Sequence, residues 1–94
     1  MIQEFDARNK DIKVWIDGVL LHRDQAKVSV FDSVVQGGDA VWEGVRVYNG
    51  RIFCFDKHLN RLMESAKSLD FKRIPSIAHI KRAVFTTLEA NGMK

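Results

Sequence analysis

Two groups of residues between Gly37 and Arg61 have side chains suited to binding chemistry. The first is Arg61, which lies with His58 on the polar face of a helix predicted over residues 57–69. A guanidinium offers paired hydrogen-bond donors to phosphate or carboxylate oxygens and keeps its charge near neutral pH. On the helix pattern alone, a solvated surface charge is the favoured interpretation of Arg61. A lone histidine such as His58 is weak support for catalysis or metal binding, so we interpret it as structural or solvated.

The second group comes from the stretch VWEGVRVY at residues 41–48, whose side chains alternate between two faces if it is a strand. One face carries the indole of Trp42, the guanidinium of Arg46 and the phenol of Tyr48, with Gly44, which has no side chain, between them. Such a mixture suits the wall of a pocket for a partly apolar, partly anionic ligand. An exposed amphipathic face is an equally good interpretation. Glu43 falls on the opposite face, which indicates a structural role.

The glycine pair and the cysteine in this region allow fewer conclusions. Gly37 and Gly38 permit backbone angles closed to other residues, as in a loop that passes close to a ligand or a partner subunit, or in a loop of no special role. Cys54 is the only cysteine, which excludes an internal disulfide and fits a reducing compartment. Its position among apolar strand residues predicts a small buried filler rather than a nucleophile.

The elements that must position these residues are predicted from turn signals and periodicity. Asp17-Gly18 and Asn49-Gly50 each join two apolar runs and predict two β-hairpins, the first carrying Trp15 into the core. Val28 and Val30 alternate within residues 26–32 and suggest a further strand.

Two helices are predicted in the second half of the chain. Asp56 is a suitable N-cap for the first, and Ser76 for the second, which covers residues 77–91 and ends before Gly92. The first helix has an apolar stripe at helical spacing, formed by Leu59, Leu62, Met63, Ala66 and Leu69. Strands followed by helices predict an α+β fold, a mainly antiparallel sheet of hairpins with two helices packed on one side.

Length and composition favour one small domain over residues 1–94. The net charge of +3 comes from basic residues spread along the chain, so nucleic acid is not an expected partner. Residues 1–12 have no strong period and suggest a docking tail. They also lack an apolar signal core, and no window approaches the ~18 apolar residues of a membrane-spanning helix. We therefore expect a cytoplasmic protein with no membrane partner.

Taken together, these residues resemble the N-terminal domain of the class-IV aminotransferases, pyridoxal-phosphate enzymes that include branched-chain and D-amino-acid aminotransferases. The resemblance rests on WIDGVLL, on KVSVFDSVVQGGDAVWEGVRVYNGRIF and on DKHLNRLMESAKSL. It covers most of the chain, from about Val14 to the second helix. It implies that pyridoxal 5′-phosphate is the cofactor, that an amino acid and a 2-oxo acid are the substrates, and that the complete enzyme is a homo-oligomer.

The resemblance also implies roles for particular residues. The arginine of the family's His-Leu-x-Arg-Leu helix, here Arg61, binds the cofactor phosphate. Trp42 and Gly44 are similar to residues that line the substrate side-chain pocket, and Arg46 is positioned to meet a substrate carboxylate. Many family members have a tyrosine where this chain has Gly37, which implies a pocket that admits a larger or differently held substrate.

In the family, the lysine that forms the Schiff base belongs to a second, C-terminal domain. None of the eight lysines in this sequence has that context, so no catalytic residue is assigned and the chain alone is expected to be inactive. Two hypotheses follow. The chain is the N-terminal domain of an aminotransferase acting on branched-chain or other apolar amino acids, or it is a non-catalytic dimerisation or regulatory module derived from that domain.

Overall fold

A computed structural model of the chain describes residues 6–93. Its elements, in order, are β1 (Lys13–Ile16), β2 (Val19–His22), α1 (Ser33–Gly37), β3 (Val47–Tyr48), β4 (Arg51–Ile52), α2 (Phe55–Ser68) and α3 (Ile77–Ala90). Short 3₁₀ turns cover Ala7–Asn9 and Arg23–Gln25. The strands form two antiparallel hairpins, which confirms the predicted α+β class. The first five residues of the predicted docking tail lie outside the described part of the chain.

The first hairpin forms where Asp17-Gly18 predicts it. β1 pairs with β2 from Lys13 opposite His22 to Ile16 opposite Val19. Both turn residues have positive φ, 51° at Asp17 and 85° at Gly18, the conformation for which this dipeptide is favoured.

The second hairpin has the same turn chemistry but much shorter strands. Asn49 and Gly50 have φ of 48° and 77°, and the ladder consists of Val47 opposite Ile52 and Tyr48 opposite Arg51. Residues 41–46 have no regular strand pairing. The predicted strand over 41–48 is therefore paired only at its end.

The predicted strand over residues 26–32 is wrong. This segment is irregular and exposed, with Val30 at 67% and Phe31 at 82% accessibility. Alternating valines favour an extended conformation, but a strand also needs a neighbour to satisfy its backbone groups. Within residues 6–93 each hairpin pairs only with itself. The segment leads into α1, which Asp32 caps by accepting from the Val34 amide at 2.9 Å.

The start of α2 differs from its prediction in two ways. The helix begins at Phe55 with Cys54 at the N-cap position, so the prediction of Asp56 as N-cap is wrong. Asp56 instead lies in the first turn, 2.8 Å from Lys81 Nζ. The prediction that Cys54 is a buried strand residue is also wrong, because β4 ends at Ile52 and the thiol is exposed at the turn into the helix.

Packing is concentrated on the apolar stripe of α2. Leu59 and Ala66 are buried, with 3% and 5% accessibility. Leu62 and Met63 are half-buried, whereas Leu69, also predicted for this stripe, is 47% exposed at the end of the helix. The interior of this part of the chain is therefore small.

α3 packs against β1 and is tied to it at its C-terminal end. Asn91 Oδ1 accepts a hydrogen bond from the Lys13 amide at 2.7 Å, and Asn91 Nδ2 donates to the Lys13 carbonyl at 3.0 Å. The predicted cap is confirmed, since Ser76 Oγ accepts from the His79 amide at 3.1 Å. The predicted stop is confirmed by Gly92, whose φ is 60°. Trp15 is half-buried and meets His79 edge-to-face, with ring centroids 6.0 Å apart.

Candidate functional site

A three-residue polar cluster, Glu43–His58–Arg61, joins the segment before β3 to α2. The Arg61 guanidinium donates from Nε to Glu43 Oε2 at 2.7 Å and from Nη2 to Glu43 Oε1 at 2.6 Å. His58 Nδ1 lies 2.6 Å from the same Oε1. A carboxylate has no proton to give, so His58 carries its proton on Nδ1 and donates it. Two side chains from one helix therefore converge on one carboxylate.

The local sequence explains this convergence. His58 and Arg61 are three residues apart on α2, which places them on the same helix face. The Asn49-Gly50 turn reverses the chain, and the Phe53 amide donates to the Arg46 carbonyl at 2.9 Å. This bond holds the return strand beside the segment that carries Glu43, so α2 begins close to that segment.

Charge and burial are distributed unevenly within the cluster. The Glu43 side chain is only 10% exposed and that of His58 20%, whereas Arg61 is 67% exposed. Hydrogen bonds from Arg61, and then from His58, lower the pKa of Glu43 from its ordinary 4.5 to about 2. The Glu43 carboxylate raises the pKa of Arg61 in turn. The cluster is an anchored carboxylate bearing an outward-facing guanidinium.

The predicted pocket-wall residues lie on the other face of the same segment. Trp42, Gly44, Arg46 and Tyr48 are all exposed, whereas Val41, Glu43 and Val47 are half-buried and Val45 is 37% exposed. A Cβ added at Gly44 would lie 3.4 Å from Trp42 Cζ3, so the indole covers the space beside Gly44. Arg46 Nη1 donates to the Tyr48 hydroxyl at 3.4 Å. The face division follows the predicted alternation except at Val45, even though residues 41–46 are not in a paired strand.

The sequence did not lead us to expect that Glu43 contacts Arg61. Its structural assignment rested on its being on the face opposite Trp42 and Gly44. That same position contained a usable signal, because a carboxylate on a half-buried, valine-rich face needs a cationic or hydrogen-bonding partner. Arg61 and His58, on the next element of the chain, supply those partners.

Two mainly apolar cavities are lined by residues other than the three of this cluster. A cleft of about 480 Å³ lies between β1 and α3, with Trp15, Val84 and Leu88 in its wall. A second, of about 210 Å³, is lined by Val41, Met63 and their neighbours. Among residues 6–93 there is no group of three metal-ligating side chains. The helices in that range include none with the length and apolarity needed to cross a membrane.

Comparison with known proteins assigns the family. A sequence profile for the family described as amino-transferase class IV matches residues 40–94, more than half of the chain. The chain belongs to the class-IV aminotransferase family. The match includes the Glu43–His58–Arg61 cluster and the face carrying Trp42 and Gly44, so the candidate site lies within the family region.

Relatives of this class-IV aminotransferase chain cover nearly all of it. It is 53% identical over 85 residues to branched-chain-amino-acid aminotransferase-like protein 1 of Arabidopsis thaliana. The aligned region covers 90% of the chain and 15% of that relative. It is 36% identical over 83 residues to a putative branched-chain-amino-acid aminotransferase of Methanocaldococcus jannaschii, covering 88% of the chain and 29% of the relative. A D-alanine aminotransferase of Listeria innocua is 39% identical over 81 residues, covering 86% and 28%. The chain thus spans between about one seventh and three tenths of the length of these curated relatives.

Proposed function

We propose that this chain is the N-terminal domain of a pyridoxal-phosphate-dependent aminotransferase that transfers an amino group between an amino acid and a 2-oxo acid. The proposal is supported by the family assignment and by one geometric observation, the exposed guanidinium of Arg61 held on an anchored carboxylate. In this proposal the domain is 1–94, and the lysine that carries the cofactor belongs to a following domain of a longer protein.

The donor set at Arg61 fits a phosphate group. The guanidinium already binds one oxyanion, Glu43, through Nε and Nη2. Within residues 6–93, Arg61 Nη1 donates no hydrogen bond, and two thirds of the Arg61 side chain is exposed. The edge formed by Nη1 and the second Nη2 proton can therefore meet phosphate oxygens, in the paired geometry that guanidinium favours.

Pyridoxal 5′-phosphate, when bound, would supply the electron sink that makes amino-group transfer possible. The residues of this chain would hold and orient it: Arg61 would bind the phosphate, and Trp42 and Gly44 would form part of the wall beside the substrate side chain. Arg46 would approach a substrate carboxylate. Its 3.4 Å bond to Tyr48 is long, so the guanidinium can exchange that partner for a stronger anionic one.

The wall favours an apolar substrate side chain. Gly44 presents no side chain, and the apolar ring of Trp42 is 83% exposed. An exposed indole of this size beside a glycine provides a flat surface on which an aliphatic group can pack. We propose a branched-chain or other apolar amino acid as the substrate, handled in the cytoplasm by a homo-oligomeric enzyme.

A non-catalytic dimerisation or regulatory module is the second candidate function. Exposed apolar side chains in and just before α1, from Val28, Val30, Phe31 and Val35, favour it, because clustered exposed apolar residues mark surfaces covered by another part of a protein or by a partner. A stable oligomer that binds no pyridoxal phosphate would support this candidate.

The test uses the protein produced from its natural gene, supplied with pyridoxal phosphate and 2-oxoglutarate. We expect L-leucine or D-alanine to be converted to its 2-oxo acid, with the apolar L-leucine preferred. Trp42→Ala should raise the KM for leucine by about fivefold or more, since one hydrophobic pocket contact contributes ~1–3 kcal/mol, or roughly 5- to 150-fold. Absence of transamination with every apolar and D-amino acid tried would reject the aminotransferase proposal.

A further inference from the structure

We propose that Glu43 is a positioning residue, one that fixes the Arg61 guanidinium so that its outer edge is presented to the cofactor phosphate. This inference rests on the proposed function and goes further, because it assigns the orientation of the phosphate-binding group to a residue on a different element. It starts from the two parallel hydrogen bonds between Arg61 and Glu43, at 2.7 and 2.6 Å.

Glu43 occupies one edge of the Arg61 guanidinium and so determines which edge is left for phosphate. A guanidinium is planar and presents donors along two useful edges, Nε with Nη2 and Nη1 with Nη2. The carboxylate takes the first edge with both of its oxygens. The plane and direction of the second edge are then fixed, since a bidentate pair allows much less rotation than a single hydrogen bond.

Burial shows which partner is the anchor. The Glu43 side chain is 10% exposed and Arg61 67% exposed, so the carboxylate is the fixed group and the guanidinium extends from it. His58, itself only 20% exposed, holds Glu43 Oε1 from α2 at 2.6 Å. Glu43 is thus held by its burial and by His58 before any ligand arrives, which is the arrangement expected of a group that supports a binding residue.

A purely stabilising ion pair would be a poorer explanation of this geometry. Ion pairs in which one partner is largely exposed contribute little to folding, because water screens the charge and the long side chain loses rotamer freedom. For binding, however, the same restraint is an advantage, since a pre-oriented arginine loses less conformational freedom when phosphate binds.

The experiment compares the affinities of pyridoxal 5′-phosphate and pyridoxal for the protein produced from its natural gene, by equilibrium dialysis. The ratio of the two affinities isolates the phosphate contact from contacts to the ring. Wild type is compared with Arg61→Lys, Glu43→Gln and the matched control Glu64→Gln. Glu64 is an exposed carboxylate on α2, one turn after Arg61, so its removal reports the through-space effect of losing one negative charge.

We expect Arg61→Lys to lower the ratio about tenfold and Glu43→Gln to lower it about three- to tenfold, because charge-assisted hydrogen bonds are lost or misdirected. Glu64→Gln should leave the ratio within about twofold of wild type. A wild-type ratio in Glu43→Gln, with Arg61→Lys still impaired, would overturn the positioning role. A raised ratio would also overturn it, since Glu43 would then compete with phosphate. If wild type does not prefer the phosphorylated form and Arg61→Lys has no effect, the proposed function itself fails, and the positioning role with it.

A second measurement needs neither ligand nor variant. In wild-type protein, the Arg61 Nε proton should exchange with water at least about tenfold more slowly than that of the exposed Arg82 on α3, because the carboxylate holds it. Equal exchange rates would show that Arg61 is not restrained and would overturn the proposal even if Glu43→Gln failed to fold.

Discussion

The two hairpins share their turn chemistry and differ in almost everything else. Asp17-Gly18 and Asn49-Gly50 both adopt positive φ at both positions. The first turn joins strands of four residues, and the second joins strands of two. β1 is covered by α3 and tied to it through Asn91. The segment leading into β3 is held through the Glu43 side chain, while its other face remains exposed.

This difference separates two determinants of a hairpin. The turn dipeptide sets where the chain reverses, whereas strand length depends on what each face of the strand can pack against. In the first hairpin a helix within the chain satisfies that requirement. In the second, the face bearing Trp42 and Gly44 is the one that we propose contacts a ligand, and its exposure fits a binding surface.

The two tryptophans provide the sharpest test of the contrast, and the largest expected effect on stability. Trp15→Ala should lower the free energy of unfolding by about 2 kcal/mol, because a half-buried ring packed on α3 is removed. Trp42→Ala should change it by less than about 0.5 kcal/mol, because that ring is exposed. Urea unfolding of both variants measures the difference. Equal losses would mean that the second hairpin is packed as firmly as the first.

The tie between α3 and β1 should have the next largest effect. Asn91→Ala removes hydrogen bonds to the Lys13 amide and carbonyl and should destabilise the chain by about 1–2 kcal/mol. Asn91→Asp keeps the acceptor for the Lys13 amide but places a carboxylate oxygen against the Lys13 and Thr87 carbonyls and a negative charge at the end of α3. We expect it to lose at least as much stability as Asn91→Ala in the same urea titration. A neutral Asn91→Ala would show that α3 is held by apolar packing alone.

The two turns should respond alike, at about 1 kcal/mol each. Gly18→Ala and Gly50→Ala both place a Cβ at positive φ, and neither Cβ would meet a heavy atom within 4 Å. The cost therefore comes from backbone conformation alone. Thermal unfolding of the two variants should give similar losses. A much larger loss at Gly50 would indicate that the short ladder depends on its turn more than the long one does.

The smallest effect concerns the dependence of stability on pH. Because the pKa of Glu43 is lowered to about 2, its stabilising contribution is fully present above its ordinary pKa of 4.5. It is then lost as pH falls towards about 2. Glu43→Gln should have lower stability than wild type at pH about 6, and the gap should narrow progressively on acidification. A constant gap between the two proteins across that range would contradict the ionised pair.

Most local signals predicted the fold correctly, and the N-cap at Asp56 is the exception. Both turns, the Ser76 cap and the stop at Gly92 depend on residues adjacent in sequence, and each is present. The strand over 26–32 and the buried position of Cys54 failed because they required a partner strand or a longer β4. Period-2 alternation shows how side chains divide between faces but does not show what lies opposite them.

Only the parts of the candidate site that depend on local sequence could be predicted. Arg61 and the exposed face of Trp42, Gly44 and Arg46 follow from motif and alternation, whereas the contact of Glu43 with His58 and Arg61 is tertiary. It depends on how the second hairpin brings two elements together, over a separation of 15 and 18 residues.

The role of Arg61 as the phosphate-binding residue is best tested by an experimental structure of the natural gene product with pyridoxal 5′-phosphate bound. We expect a phosphate oxygen within about 3 Å of Arg61 Nη1 or Nη2, with the Nε–Glu43 bond retained and Trp42 beside the substrate space. A phosphate bound elsewhere, with Arg61 turned away from it, would contradict the claim.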